Sequence, residues 1–253
     1  MAALYDTLGR DYARWRRPDP RIASAILAAL GDAESVVNVG AGAGSYEPAD
    51  RPVVAVDPSS LMVAQRPAGA APALRGTAEA LPFGSRSFDA SLAVLTLHHW
   101  GDWRAGVGEL ARVARRRVVV LTHDWSLPSF LDFWLLRDYL PGLVEAGRLG
   151  SPEIEQLCAA LGGLAEVVPV PADCADGFLS AYWRRPEIYL DPAARAAISG
   201  FHGLAAEETE EGIDRLAADI ASGAWGECNA ELLELDTLDL GYRLVIADVG
   251  DAR

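Results

Sequence analysis

The sequence has 253 residues, and its 36 acidic residues outnumber 22 basic ones, all arginine, which gives a formal net charge of −14. About half of the residues are apolar (51%), as in globular proteins, and the negative charge disfavours general binding to nucleic acids. No apolar run approaches the length of a membrane span, no signal peptide is evident, and the three cysteines have no metal or disulfide spacing, so we expect a cytoplasmic protein.

The first predicted elements are two helices. Tyr12 and Trp15 share one face of an N-terminal helix with other apolar residues spaced three or four apart. Asp19 followed by Pro20 is typical of a helix start, and Gly31 marks the end of that second helix.

Short apolar runs then alternate with helical patterns, which is typical of a parallel, doubly wound sheet. Ser59 or Ser60 is expected to cap one helix and Asp102 another. Arg112 and the arginines at 115–117 are predicted to lie at the solvated end of the latter helix. The predicted strands of this part of the chain are 36–39, 53–56, 73–76, 88–95 and 118–122.

The second half of the chain has a different pattern. A helix opening at Ser151 and a strand over 164–170 are followed by a mostly helical stretch and a last strand over 242–249. We therefore predict an α/β, Rossmann-like, doubly wound and mostly parallel seven-stranded sheet. Residues 1–171 and 238–253 would form this cofactor-binding domain, and residues 172–237 an inserted helical cap that shapes an acceptor pocket.

A glycine-rich turn after the first predicted strand carries most of the functional signal. Gly40 and Gly42 let the backbone turn sharply and let a ligand lie against it. Asp57 ends the next strand, where a carboxylate can accept hydrogen bonds from a ribose diol, although a tight turn and a helix cap would explain the same residues. Ser45 replaces the last glycine of a dinucleotide fingerprint and Pro48 shortens any following helix, so the pattern favours a cofactor without a pyrophosphate.

The motifs together resemble the class I S-adenosylmethionine-dependent methyltransferases, in particular the type 11 subgroup. The resemblance is carried by residues 36–57, 76–83, 87–90 and 97–100, and it covers roughly residues 5–123. Asn38 and Thr77 depart from it, because the family often has an aspartate at each position.

The resemblance implies a role for each matching residue. Gly40, Ala41 and Gly42 would pass along the methionine part of S-adenosylmethionine, and Asp57 would hold the ribose. The remaining cofactor contacts implied are Pro58, Met62, Thr77 and Ala78 around the adenine, the Leu95 carbonyl near the amine, and Arg17, with Arg14 and Arg16 as competitors, at the carboxylate.

Candidate catalytic and acceptor-binding residues follow the later strands. His98, His99 and His123 are candidate bases, since histidine titrates near neutral pH, but the sequence alone favours a structural role for each of them. No metal site is expected from them. An aromatic pocket for the acceptor is predicted from Tyr12, Trp100, Trp125, Trp134, Tyr182 and Trp183, with a core role as the alternative.

The function that this pattern favours is methyl transfer from S-adenosylmethionine to oxygen, nitrogen or carbon of a small molecule, with S-adenosylhomocysteine as the product. No nucleic-acid or membrane partner is expected, and the sequence leaves the oligomeric state open. Three alternatives stay open: a protein of this fold that binds the cofactor without transferring methyl, a nicotinamide-dependent oxidoreductase, and a methyltransferase acting on protein side chains.

Overall fold

The computed structural model describes residues 15–250, which form a seven-stranded sheet flanked by helices, with a small two-stranded sheet beside it. The strands are β1 Val36–Val39, β2 Val53–Asp57, β3 Ala73–Arg75, β4 Phe88–Val94, β5 Ala114–His123, β6 Leu164–Val167, β7 Val170–Pro171, β8 Thr237–Leu238 and β9 Tyr242–Asp248. The large sheet has the order β3-β2-β1-β4-β5-β9-β6, parallel from β3 to β5, with β9 antiparallel to both of its neighbours. The predicted doubly wound, mostly parallel sheet is thus confirmed.

Helices cover both faces of the sheet and its carboxyl edge, and between residues 15 and 250 none combines the length and apolarity needed to cross a membrane. The α-helices are α1 Pro20–Leu30, α2 Ser60–Ala64, α3 Trp103–Val113, α4 Pro128–Leu131, α5 Gly142–Arg148, α6 Ile154–Leu161, α7 Pro192–Ala196, α8 Ala206–Ser222 and α9 Ala224–Cys228. A π-helical turn at Leu135–Tyr139 and 3-10 turns at Leu97–His99, Pro186–Leu190, Ser199–Gly203 and Ala230–Glu234 complete the set.

The predicted helix starts have the expected physical cause. Asp19 caps α1 by accepting a hydrogen bond from the Arg21 N–H at 2.9 Å, and Pro20 occupies the first helical position. Asp102 caps α3 by accepting from two backbone N–H groups, and Ser59 caps α2. No helix forms between β1 and β2, in line with the expectation from Pro48.

The arginines after α3 correct one interpretation. Arg112 does lie in the last turn of α3, but 115–117 belong to β5, which begins at Ala114. There Arg115, Arg116 and Arg117 pair with carboxylates of three other segments rather than ending a helix in solvent. The partners are Asp89, Asp32 and Asp248, at 3.0, 2.7 and 2.8 Å.

The predicted strand over 164–170 is two strands. β6 forms an exposed edge of the large sheet, whereas β7 leaves it and pairs with β8. β7 precedes the segment 172–237 and β8 lies at its end. Their pairing therefore brings the two ends of this mostly helical segment together. The segment also packs against the π-helical turn and α5, so residues 128–148 contribute to the same helical layer.

Candidate active site

A cavity of about 670 Å³ opens at the carboxyl ends of β1, β2 and β4, the edge at which parallel α/β sheets bind ligands. Every residue expected to contact the cofactor lines it, with the exception of Arg17. The lining includes Gly40, Ala41, Gly42, Asp57, Pro58, Met62, Thr77, Ala78 and Leu95, and also Arg16, Asn38, Ser59, Glu79, Thr96, His99 and Trp100.

The turn after β1 has glycine at the positions where the backbone has a positive φ angle and leaves little room for a Cβ. Gly40 has φ +69°, and a Cβ at this position would lie 2.0 Å from Thr96 Oγ1. Gly42 has φ +50°, with Met62 Cε 3.2 Å from the position of a Cβ. The N–H groups of Gly40 and Ala41 both donate to the Val56 carbonyl, which holds the turn against β2. A flat ligand surface can therefore approach the backbone closely.

Asp57 is fixed at the end of β2 with its carboxylate at the cavity wall. Its Oδ2 accepts from the Gly42 N–H at 2.7 Å and its Oδ1 from the Ser59 N–H at 2.9 Å. An ionised carboxylate accepts several hydrogen bonds, and one at the end of this strand is of the kind that can hold the hydroxyls of a ribose.

Asn38, near the end of β1 beside the glycine turn, provides an acceptor in the cavity wall. Its Nδ2 donates to Glu47 Oε1 at 3.1 Å, while its buried Oδ1 has no hydrogen-bond partner. Glu47 is held in turn by Arg66, which also donates to the Gly42 carbonyl at 3.2 Å. An orphaned oxygen costs free energy unless a ligand donates to it. A protonated amine fits this position, and this acceptor takes the place of the aspartate that the family often has.

The arginine that lines the cavity is Arg16, one of the two competitors of the predicted Arg17. Arg17 is exposed and does not line the cavity. Arg16 lines it, and its Nε donates to Asp176 Oδ1 at 2.7 Å. Asp176 is buried and also accepts from the Tyr46 hydroxyl at 2.9 Å, so the segment before α1 is tied to the helical segment across the site.

A second cavity of about 250 Å³ adjoins the first and shares Arg16, Leu95 and His99 with it. Leu95 has φ +50°, a strained conformation for leucine that redirects the backbone where β4 ends. The other lining residues are mostly apolar or aromatic, with histidines. They include His98, His123, Trp125, Leu149, Phe178, Leu179, Ile198, Ser199, His202 and Tyr242.

The three candidate catalytic histidines form one cluster in this second cavity. The ring centroids of His98 and His99 are 3.8 Å apart, and those of His98 and His123 are 5.2 Å apart. The His99 side chain is exposed in the cavity, yet desolvation by the protein atoms around it, with the Arg16 charge nearby, lowers its pKa to about 4. Burial, with His99 nearby, also lowers the pKa of His123 to about 4, and it lowers that of His98 well below its usual range. The cluster is therefore neutral at pH 7 and can accept a proton.

Buried His123 should make stability depend on pH. Its folded pKa of about 4 lies below the ordinary value of 6.5, so between these values the unfolded chain binds a proton that the native state excludes. Stability from this group is complete above pH 6.5 and falls as the pH drops towards 4, by about 2 kcal/mol between pH 7 and 5. Between pH 7 and 5, the free energy of unfolding of His123→Gln, measured by urea denaturation, should fall by about 2 kcal/mol less than that of the wild type. An identical pH dependence in both proteins would contradict this.

The predicted aromatic acceptor pocket is corrected in part. Trp125 lines the second cavity and Trp100 the first. Trp134 and Trp183 instead belong to the core of the helical layer, where the Trp134 Nε1 donates to the Trp183 carbonyl at 2.8 Å. Tyr182 is likewise buried and lines neither cavity, because its ring packs against Tyr189. Tyr12 lies outside the described residues.

Several cavity residues carry no signal in the sequence. Thr96 lies against Gly40 because β4 ends beside β1, and Ile198 and Ser199 reach the second cavity through a short 3-10 turn.

Burial raises the pKa of the Cys174 thiol to about 12, which keeps it protonated. No cluster of His, Cys, Asp or Glu in residues 15–250 is arranged to hold a metal ion.

Comparison with known proteins agrees with this architecture. A family model described as a methyltransferase domain matches residues 37–122. Curated proteins give no significant match. Among solved structures, a candidate methyltransferase from an antibiotic biosynthesis pathway of Anabaena variabilis is 31% identical, with a TM-score of 0.86 over 93% of this chain and 99% of that one.

Two more distant structures share the fold alone. The [4+2]-cyclase SpnF is 16% identical, with a TM-score of 0.58 over 97% of this chain and 93% of that one. The geranyl diphosphate C-methyltransferase of Streptomyces coelicolor, solved with S-adenosylhomocysteine, is 15% identical, with a TM-score of 0.51 over 90% and 77%. The full-length match at 31% identity, the family model and the glycine cradle agree, and the chain belongs to the class I S-adenosylmethionine-dependent methyltransferases.

Proposed function

We propose that this enzyme methylates a small molecule held in the second cavity, using S-adenosylmethionine held in the first. The observation that carries this proposal is the junction of the two cavities at Leu95, His99 and Arg16. When bound, S-adenosylmethionine supplies an electrophilic methyl group on a sulfonium. The product left in the first cavity is S-adenosylhomocysteine.

The first cavity offers a contact for each part of that cofactor. Asp57 would accept from the ribose hydroxyls, and the Asn38 Oδ1 would accept from the amine of the methionine part. Pro58 and Met62 would cover one face of the adenine. Thr77 stands where the family often has an aspartate, so the adenine edge would be held less strongly there.

The second cavity supplies orientation and exclusion of water. Its walls are largely apolar, so an acceptor that fills it displaces solvent and meets the first cavity only at the junction. His99 is the titratable side chain at that junction whose neutral form can take a proton from the acceptor. His98 and His123 lie behind it and would position the acceptor.

The proposal is tested by incubating the purified protein with S-adenosylmethionine and a small-molecule cell extract, and measuring S-adenosylhomocysteine. We expect release that requires both the protein and the fraction of the extract below about 1 kDa. Tight cofactor binding without any release across extracts would instead favour a binding protein that transfers no methyl. Release that needs only the macromolecular fraction would favour a protein methyltransferase.

Asp57→Ala should weaken binding of S-adenosylhomocysteine by about 1–3 kcal/mol, the range for hydrogen bonds to a charged group. Isothermal titration calorimetry measures the change. Asp50→Ala is the matched control, because the Asp50 carboxylate is exposed and pairs with Arg51 outside the cavity. Equal affinities of Asp57→Ala and the wild type would refute the ribose contact.

A further inference from the structure

The second cavity has an unusual charge pattern for so acidic a protein. All four histidines of the sequence line it, together with Arg16. Among residues 15–250, no aspartate or glutamate lines it, although the chain carries 36 acidic residues. An acceptor held there meets nitrogen donors and acceptors, but no carboxylate in direct contact.

The carboxylates nearest to this cluster are occupied elsewhere. Asp124 follows His123 in the chain, but its carboxylate accepts from the N–H groups of Ser126 and Ile154, each at 2.8 Å. Asp176 is buried in its bonds to Arg16 and Tyr46. Neither lines the cavity, so neither is placed to pair with a cationic acceptor.

The cavity also has unmet capacity for hydrogen bonds. His123 is only 9% exposed, and its Nδ1 has no hydrogen-bond partner in the structure. The buried Nδ1 of His98 is likewise without a partner, and its Nε2 lies 3.5 Å from Ser199 Oγ. Buried nitrogens of this kind are satisfied by a ligand that carries a hydroxyl or another small polar group.

The apolar wall of the second cavity includes three aromatic side chains, which suits a ligand that carries a planar ring. Trp125 and Tyr242 pack against His123, and Phe178 packs against Tyr242. Leu179 and Ile198 also line the cavity. Aromatic walls with a few convergent polar groups are typical of sites for planar, mostly apolar ligands.

We infer that the acceptor is an apolar, ring-bearing molecule whose reacting group is an acidic hydroxyl of the phenol or enol type, and that its oxygen is methylated. This inference rests on the proposed function, since it names the substrate class of the same site. A protonated amine fits poorly, because it would sit beside a sulfonium with no carboxylate lining the cavity.

The charges balance for a hydroxyl in this site. The oxygen forms a bond to the methyl carbon as the carbon–sulfur bond breaks, the electron pair of that bond stays on sulfur, and the hydroxyl proton passes to neutral His99. One positive charge is present before the step, on the sulfonium, and one after it, on the imidazolium. The low-dielectric site therefore gains no net charge, and the proton then leaves His99 to solvent.

The test compares two probes of similar size, 4-nitrophenol and 4-nitrobenzylamine, at pH 6.0, where the phenol keeps its proton and the amine is protonated. Each is titrated by calorimetry into protein saturated with S-adenosylhomocysteine, after binding of that product has been measured in the same cell. We expect the phenol to bind at least about tenfold more tightly than the protonated amine, a difference of about 1.4 kcal/mol. His99→Gln should reduce this ratio, and Asp50→Ala should leave it unchanged.

The outcomes separate the inference from the proposed function. Equal or tighter binding of the amine, or binding of neither probe, to protein that binds S-adenosylhomocysteine would overturn the acceptor class alone. Failure to bind S-adenosylhomocysteine would overturn the proposed function and this inference with it. Conversion of 4-nitrophenol to 4-nitroanisole with S-adenosylmethionine, seen as loss of the nitrophenolate absorbance, would add direct support.

Discussion

Replacing His99 with glutamine is expected to lower kcat by about 100-fold or more, the effect usual for loss of a positioned general base. His99 is the histidine that lines both cavities, so its ring is the one that the acceptor and the transferred methyl group can both reach. Glutamine keeps a polar side chain of similar reach but cannot accept the proton. The measurement is steady-state release of S-adenosylhomocysteine with the acceptor found in the extract screen.

His202→Gln is the matched comparison for that variant. His202 lies at the exposed rim of the second cavity, where its Nε2 is 3.0 Å from the Ala196 carbonyl, and it does not reach the first cavity. We expect its replacement to change KM more than kcat. A kcat for His99→Gln close to that of the wild type would remove His99 from the chemistry.

The second large effect is expected for Gly40→Ala. The new Cβ would lie 2.0 Å from Thr96 Oγ1, and the backbone has φ +69°, which alanine adopts only at a cost. The glycine turn must shift to admit the methyl group, and it would lose the bonds that hold it against β2. We expect affinity for S-adenosylhomocysteine to fall by at least about tenfold, and the free energy of unfolding by about 2 kcal/mol.

Gly108→Ala provides the control for Gly40→Ala. Gly108 lies in α3, no atom lies within 4 Å of the Cβ position, and its φ is ordinary. Alanine there should leave binding unchanged and should not destabilise the protein, because alanine favours helices. Wild-type affinity in Gly40→Ala would show that the turn does not contact the cofactor.

The cofactor side of the site was predictable because its signals are local. A strand, a glycine turn and an acid at the end of the next strand follow one another in about 20 residues, so one short stretch determines most of the first cavity. The sequence does not separate Arg16 from Arg17, because neighbouring arginines differ only in direction, and the direction of Arg16 is set by its ion pair with the distant Asp176. Likewise, β5 begins at Ala114 because three arginines find carboxylates on other segments.

The acceptor side was not predictable for a related reason. Its walls come from separate parts of the chain, such as the end of α5 with Leu149, the turn at 178–179 and the 3-10 turn at 198–203. The tryptophans of the helical layer looked equally suited to a pocket and to a core. Trp134 and Trp183 are core because their indole N–H groups reach backbone carbonyls inside the layer.

The likeness to a [4+2]-cyclase shows that this fold also occurs in proteins described by another reaction, so the cofactor must be tested directly. The most direct measurement is calorimetric titration of the protein with S-adenosylmethionine and, separately, with NAD. We predict one molecule of S-adenosylmethionine bound per chain and no detectable binding of NAD. Tight binding of NAD without binding of S-adenosylmethionine would contradict the assignment of the glycine turn and Asp57.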